Sequence, residues 1–429
     1  MKRRSFLNLT AGAAAAPLVK RAWAQQAGSI TVTGISSFRL VEDLIPRFTQ
    51  ETGIAVDLQI LPYPQLRQRA MADLVGGTAN SDVYLQDIIW LGEWAKNSYV
   101  RPLDDLFARD RAEIDVDDIL PGAFSSLSRW EGKIWSIPFG AYYFLNFFRQ
   151  DWFREKNLSA PATLADVDAA AQQLTDARAN RFGISMPYQR GGPICSWFLA
   201  TYTGAGGKLL ADPPNNFAPT LESERAVKVL EHYVGWLRNA PQGAIGHHWN
   251  DQTAAMQSGR LGMAPTFTVN GAEFMKRDRS VIADTLGFSY MPKFAASEAP
   301  VIPFGGWAVA INARSTKVEP SWKFLKWVMS KPIQRDLAAL NGTPVRYSAL
   351  QDAALQRQYP WFDFVLRAER ESRIFTDYRP RYPFYPQIEE ILGLQLNRAA
   401  LNQARPAEAL ATANRQIAEI IRQAGFPVR

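Results

Sequence analysis

From Ile30 onward the apolar positions alternate between two periods. A β-branched run, Ile30 to Ile35, gives way to Leu40, Leu44 and Phe48 at four-residue spacing; Gly53 stops that pattern, and Ile54 to Leu61 alternates residue by residue. The outer segments predict strands and the middle one a helix, so the region opens β-α-β. A second helix is predicted from about Gln65 to Val75, ended by Gly76-Gly77, and a short strand over Asp82 to Gln86. Strands separated by helices imply a mainly parallel sheet covered by helices.

A second region opens near Ile137-Pro138-Phe139-Gly140. It holds a helix capped by Thr163 with Asp166 three residues on, strand-like segments Gly262 to Thr268 and Thr285 to Met291, and a surface loop from Asp212 to Pro219. Pro303 to Trp307 then leads into the apolar strand Ala308-Val309-Ala310-Ile311, followed by a helix with Trp322, Leu325 and Met329 along one side. The stretch Gln387 to Gln423 predicts helix.

The N-terminus follows neither period. Met1-Lys2-Arg3-Arg4-Ser5-Phe6 precedes a mild apolar run from Leu7 to Val19, then Lys20-Arg21 and Ala22-Trp23-Ala24. A basic start, a short apolar middle and a small-x-small end predict an export signal cut after Ala24, and the arginine pair resembles the twin-arginine type. Gly12 and Pro17 interrupt the run, which is too short to span a bilayer. Five units of the formal +7 charge fall in this leader. The rest of the chain is nearly neutral and gives no reason to expect a nucleic-acid face. Its length, about 405 residues, suits a two-lobed molecule. Cys195 is the only cysteine, so no intrachain disulfide forms and none stands at the cleavage site to carry a lipid. The expectation is a free periplasmic monomer without a cofactor.

Enzyme motifs do not assemble. His247 and His248 are adjacent and point apart on either kind of element, His232 stands alone, and no metal site is expected. Gly204 to Lys208 lacks the glycine and hydroxyl residue of a phosphate loop, which leaves a turn between helix and strand. No G-x-S-x-G elbow occurs. Asp104-Asp105 and Asp117-Asp118 flank predicted helix starts, where acids complement the helix dipole. The chain does carry 13 Trp, 14 Tyr and 24 Phe, several of them in predicted loops at strand ends. Flat rings there, with a few Asp or Arg groups to take hydroxyls, fit a carbohydrate cleft.

Several segments then fall in a familiar order. They are Ser81 to Ala95 with its Asp87-Ile88-Ile89-Trp90, Pro102-Leu103-Asp104, Ile137-Pro138-Phe139 followed by Phe148 to Phe153, and Pro161-Ala162-Thr163-Leu164. Ser258-Gly259-Arg260-Leu261-Gly262-Met263, Gly305-Gly306-Trp307 and Gly342-Thr343-Pro344-Val345-Arg346 complete the series. Their succession resembles the family 1 extracellular solute-binding proteins of ABC importers, the maltose-binding-protein-like group. The resemblance implies a periplasmic-binding-protein-like type II α/β fold: two α/β lobes with a ligand cleft and hinge crossings near 137, 303 and 344. One lobe would comprise residues 25–136 plus about 306–343, the other 137–302 plus about 345–429. The implied partners are a sugar or polyol and the transmembrane subunits of a permease, with no reaction catalysed. Carried over residue by residue, the ligand contacts would be Phe38, Asp87, Trp90, Tyr142, Trp197, Phe267, Gly306, Trp307 and Arg346. Leu392 is not aromatic where some sugar binders stack a tryptophan, which counts against a maltodextrin. Alternatives are a phosphorylated sugar held by Arg39, Arg346 and glycine amides, iron on Tyr142-Tyr143, a polyamine, a secreted glycan-active enzyme, or a sensor component.

Overall fold

The computed structural model describes residues 28–429, and the predicted leader lies outside them. The first strand, Ser29–Gly34, pairs in parallel with Ala55–Ile60 on one side and Val83–Asp87 on the other. Beyond Val83–Asp87 the sheet continues through Ile302–Ile311, Ile137–Arg149, Leu261–Phe267 and Phe182–Ile184. Helices cover the parallel end, as the alternation predicts. The sheet as a whole is mixed, contrary to the expectation of a mainly parallel one. Ile302–Ile311 runs antiparallel to both its long neighbours, and Ile137–Arg149 is antiparallel to every strand it meets. The reason is topological: these two strands carry the chain in opposite directions between the two halves of the sheet.

Ile137–Arg149 changes partners along its length. Residues 137–143 face Ile302–Ile311, whereas residues 144–149 face Leu261–Phe267 and Leu286–Ser289. Both long strands are buried on both faces, apart from Arg149 at the end of the first, as expected of near-continuous apolar runs. Their closest approach requires glycine. Gly306 adopts φ +156°, and a Cβ there would lie 2.4 Å from the carbonyl oxygen of Gly140.

Three local predictions need revision. Leu40 and Leu44 lie on a 3-10 segment, Ser36–Leu44, and α-helix starts only at Ile45. The C-terminal stretch is two helices, Tyr385–Ala400 and Pro406–Gln423: Asn402 turns left-handed at φ +57° and Pro406 opens the second. Asp212 to Pro219 forms a hairpin, Leu210–Asp212 against Asn216–Pro219. The Thr163 cap is a full capping box: Asp166 N–H donates to Thr163 Oγ1 at 3.2 Å, and Thr163 N–H to Asp166 Oδ2 at 2.9 Å. Among the described residues no helix is long and apolar enough to cross a membrane.

The chain ends against both halves of the molecule. Phe426 packs on Phe217, Tyr382 and Phe384 at 4.9, 5.8 and 5.0 Å between ring centres, and Lys96 of the N-terminal half lies 5.6 Å from its ring.

One buried carboxylate ties the parallel end together. Asp73, on helix Tyr63–Val75, accepts hydrogen bonds from Thr78 Oγ1, Asn80 N at 3.0 Å, Tyr84 OH at 2.8 Å and Asn312 Nδ2 at 3.3 Å. Burial alone would raise its pKa, but the hydrogen bonds from Thr78, Asn80, Tyr84 and Ser81 outweigh that and lower it. Its stabilisation is therefore present above the ordinary aspartate value and lost as pH falls through the lower folded value. Asp73→Ala is expected to cost about 3 kcal/mol in urea unfolding at pH 7, with the difference from wild type shrinking at pH 3.

Candidate functional site

A cavity of about 510 Å³ opens where the carboxyl end of Val83–Asp87 meets the two crossing strands. Strand ends are where open α/β folds take ligands, and the volume falls within the range of about 300–1,000 Å³ typical of small-molecule sites. Ser37, Tyr63 and Asp87 line it from the N-terminal half, and Tyr142, Gly306 and Trp307 from the crossing strands; Ser196, Trp197, Trp249, Phe267, Arg379 and Glu389 face them.

Its aromatic walls are two rigid groups. Tyr63 stacks on Trp90 at 5.6 Å, and Trp307 meets both edge-on at 5.9 Å. Opposite, Trp197 lies nearly parallel to Trp249, 6.2 Å away and inclined by 10°, and meets Phe267 edge-on at 5.6 Å. Trp197 Nε1 donates to the Pro265 carbonyl at 2.7 Å, which fixes that indole. Tyr63 and Trp249 bring the groups together, ring centres 6.1 Å apart.

The polar groups are few and directed. Asp87 accepts from Tyr63 OH at 3.0 Å and from Arg379 Nη2 at 3.5 Å. Burial, then the Asp87 charge, pushes the Tyr63 phenol well above its ordinary value. Burial likewise pushes the Tyr142 phenol up to about 12. Tyr142 OH, Ser37 Oγ and Arg379 Nε are buried atoms that make no hydrogen bond within the protein, so they are free for a ligand. Glu389 keeps part of its surface open to the cavity, yet the walls enclose it. That burial, countered by Arg379, raises its carboxyl to about 7.

Of the nine contacts implied by resemblance, Asp87, Tyr142, Trp197, Phe267, Gly306 and Trp307 line this cavity. Phe38, Trp90 and Arg346 do not. Phe38 is fully buried, 4.6 Å from Phe139 between ring centres. Trp90 stands behind Tyr63 and Trp307 as their support. Arg346 is a structural cation: it donates to the carbonyls of Met329 at 2.6 Å, Ile114 at 2.7 Å and Asp115 at 3.1 Å, and to Asp118 at 3.3 Å. Asp118 thus holds Arg346 instead of serving only a helix start. Arg39 is exposed and paired with Glu42 at 3.2 Å, so neither arginine named for a phosphate reaches the cleft. Tyr143 points away from Tyr142, its hydroxyl 3.2 Å from Glu369, because consecutive strand residues face opposite sides. The two phenols do not converge on an ion.

Tyr63, Trp249, Arg379 and Glu389 were not legible as site residues. Tyr63 sits just before the residues whose spacing predicts its helix. Trp249 follows the histidine pair, Arg379 lies in an irregular segment, and Glu389 falls at a helix position that periodicity assigns to solvent.

Comparison with known proteins bears on this arrangement. The model of the bacterial extracellular solute-binding proteins matches residues 35–335. An ABC transporter solute-binding protein of Agrobacterium radiobacter K84, solved with ribitol, is 28% identical; the match covers 91% of this chain and 98% of that one, with a TM-score of 0.86. A counterpart from Agrobacterium vitis S4 with bound D-mannitol is 25% identical over 94% of this chain and 100% of its own, with a TM-score of 0.82. A probable amino-acid ABC transporter periplasmic-binding protein of Sinorhizobium fredii is 24% identical over 99% of both chains.

Removing the Arg346 guanidinium takes this donor from the buried Met329 and Ile114 carbonyls, while Asp118 keeps Ser348. Arg346→Met is expected to lower stability by about 3–5 kcal/mol in urea unfolding while leaving ligand affinity in calorimetry unchanged.

Proposed function

We propose, for a chain that belongs to the bacterial extracellular solute-binding protein family, that it is the binding component of an ABC importer and that its cleft takes a sugar alcohol or a small sugar. The observation that carries this reading is the cavity itself: fixed aromatic walls from both halves around Asp87, Arg379, Tyr142 and Glu389. A polyol bears a hydroxyl on each carbon, each both donor and acceptor, and presents C–H edges between them. Carboxylates accept hydrogen bonds from its hydroxyls, a guanidinium and phenol donate to its oxygens, and indole faces cover its carbons. The ribitol and D-mannitol complexes of the two Agrobacterium relatives support the same class. This reading calls for no reaction in the cleft, where Asp87 is engaged by Tyr63 and Arg379.

The lobes are residues 25–136 plus about 306–343 and residues 137–302 plus about 345–429, hinged at the crossings near 137, 303 and 344. Such a hinge closes one lobe on the other around ligand. Export follows the leader with Arg3-Arg4, and the processed chain works in the periplasm as an unlipidated monomer beside its permease. A second reading, an amino acid, is favoured by the Arg379 and Glu389 pair, which matches a zwitterion, and by the name of the Sinorhizobium relative.

A thermal-shift and calorimetry screen of protein purified from a periplasm separates these readings. Ribitol, D-mannitol or another alditol is expected to raise the melting temperature; a ligand at 100 times its Kd contributes about 2.7 kcal/mol. Silence from alditols and sugars with a response to one amino acid would overturn the ligand class. Trp249→Ala is expected to weaken the responding ligand about tenfold or more, equivalent to about 1.4 kcal/mol, with a small change in ligand-free melting because this indole is only half-buried.

A further inference from the structure

Three carboxylates line the cavity, Asp87, Glu273 and Glu389, against one basic side chain, Arg379. Two of the three are neutralised locally. Glu273 takes Lys276 Nζ at 2.5 Å, and Asp87 takes Arg379 at 3.5 Å. Glu389 has no hydrogen bond or ion pair among the described residues, although its helix, Tyr385–Ala400, presents it to the same space. It is seated against Gly192, where a Cβ would lie 3.5 Å from both carboxylate oxygens, so glycine leaves the approach open.

We infer that Glu389 makes the cleft a charge filter, admitting neutral and cationic solutes and rejecting anionic ones. This rests on the reading of the cavity as the solute site. A ligand carboxylate or phosphate about 5 Å from an unpaired Glu389 is disfavoured on the order of a hundredfold at an effective dielectric of about 20. The cavity's one arginine faces both Asp87, at 3.5 Å, and Glu389, so an incoming anion competes with two carboxylates for it. Other elements turn Asp87, Tyr63, Arg67, Arg379 and Cys195 toward Glu389, while Tyr385 and Glu390 lie on its own helix. Burial keeps the group near about 7, so the filter strengthens as pH rises from 6 to 8.

The test holds one carbon chain constant. Calorimetry at pH 8 compares D-mannitol, D-mannonate and 1-amino-1-deoxy-D-mannitol on wild type and Glu389→Gln. In the wild type, mannonate is expected to bind at least 30-fold weaker than mannitol and the amine at least as tightly as mannitol. Glu389→Gln should narrow the mannitol-to-mannonate ratio at least tenfold. Equal binding of mannonate and mannitol by the wild type, or an unchanged ratio in the variant, overturns the filter. Melting of both proteins without ligand from pH 5 to 8 gives an independent arm. Because the folded value is raised, wild-type stability should fall relative to Glu389→Gln as pH rises from 5 and level off above about 7; a fall that continues undiminished to pH 8 means Glu389 stays uncharged there and overturns the proposal. Failure of the polyol reading looks different: none of the three compounds binds, while the melting arm still decides whether the charge exists.

Discussion

The antiparallel pairing of Ile302–Ile311 with Ile137–Arg149 is the contact on which the rest of the molecule depends. Both strands are buried on both faces, and each is bonded to a different part of the sheet on its far side. Through this pair the sheet continues from the parallel end into the opposite half. Its geometry also sets the floor of the cleft, since Tyr142, Gly306 and Trp307 belong to the same register. A side chain at Gly306 would push the strands apart at Gly140 and distort the cavity floor.

Around that floor the chemistry divides between shape and charge. The tryptophans and Tyr63 are mutually braced, so the rings lose little freedom when a ligand arrives. The polar groups are arranged more selectively. Tyr63 and Asp87 satisfy one another, whereas Tyr142 OH, Ser37 Oγ, Arg379 Nε and the Glu389 carboxyl have no hydrogen-bond partner among the described residues. The cavity thus sets a few unsatisfied groups in an aromatic frame.

The fold was largely readable because it is written in local periods. The β-α-β opening, the Thr163 capping box and the apolar crossing strand each rest on neighbouring residues. The mixed direction of the sheet was not readable, since it depends on which strands return between halves, and hydrophobic runs carry no direction. The site shows the same division. Asp87 and Trp307, implied by the family resemblance, line the cavity. Glu389 and Arg379 are not legible because their placement comes from tertiary juxtaposition, Glu389 against Gly192 on another helix and Arg379 against Asp87 on a distant strand. Arg346 misled for the opposite reason: a turn motif preserved its place, while three backbone carbonyls had claimed its donors.

The aromatic cluster at the chain end has a practical consequence. Phe426 is held by Phe217, Tyr382 and Phe384, yet its ring also lies beneath Lys96 of the other half. Any rearrangement that alters the spacing of the halves alters the surroundings of this ring. A solvatochromic dye or fluorescent module fused at Arg429 would sit three residues from that junction, which makes the carboxyl terminus an optical reporting position that leaves the ligand cavity untouched.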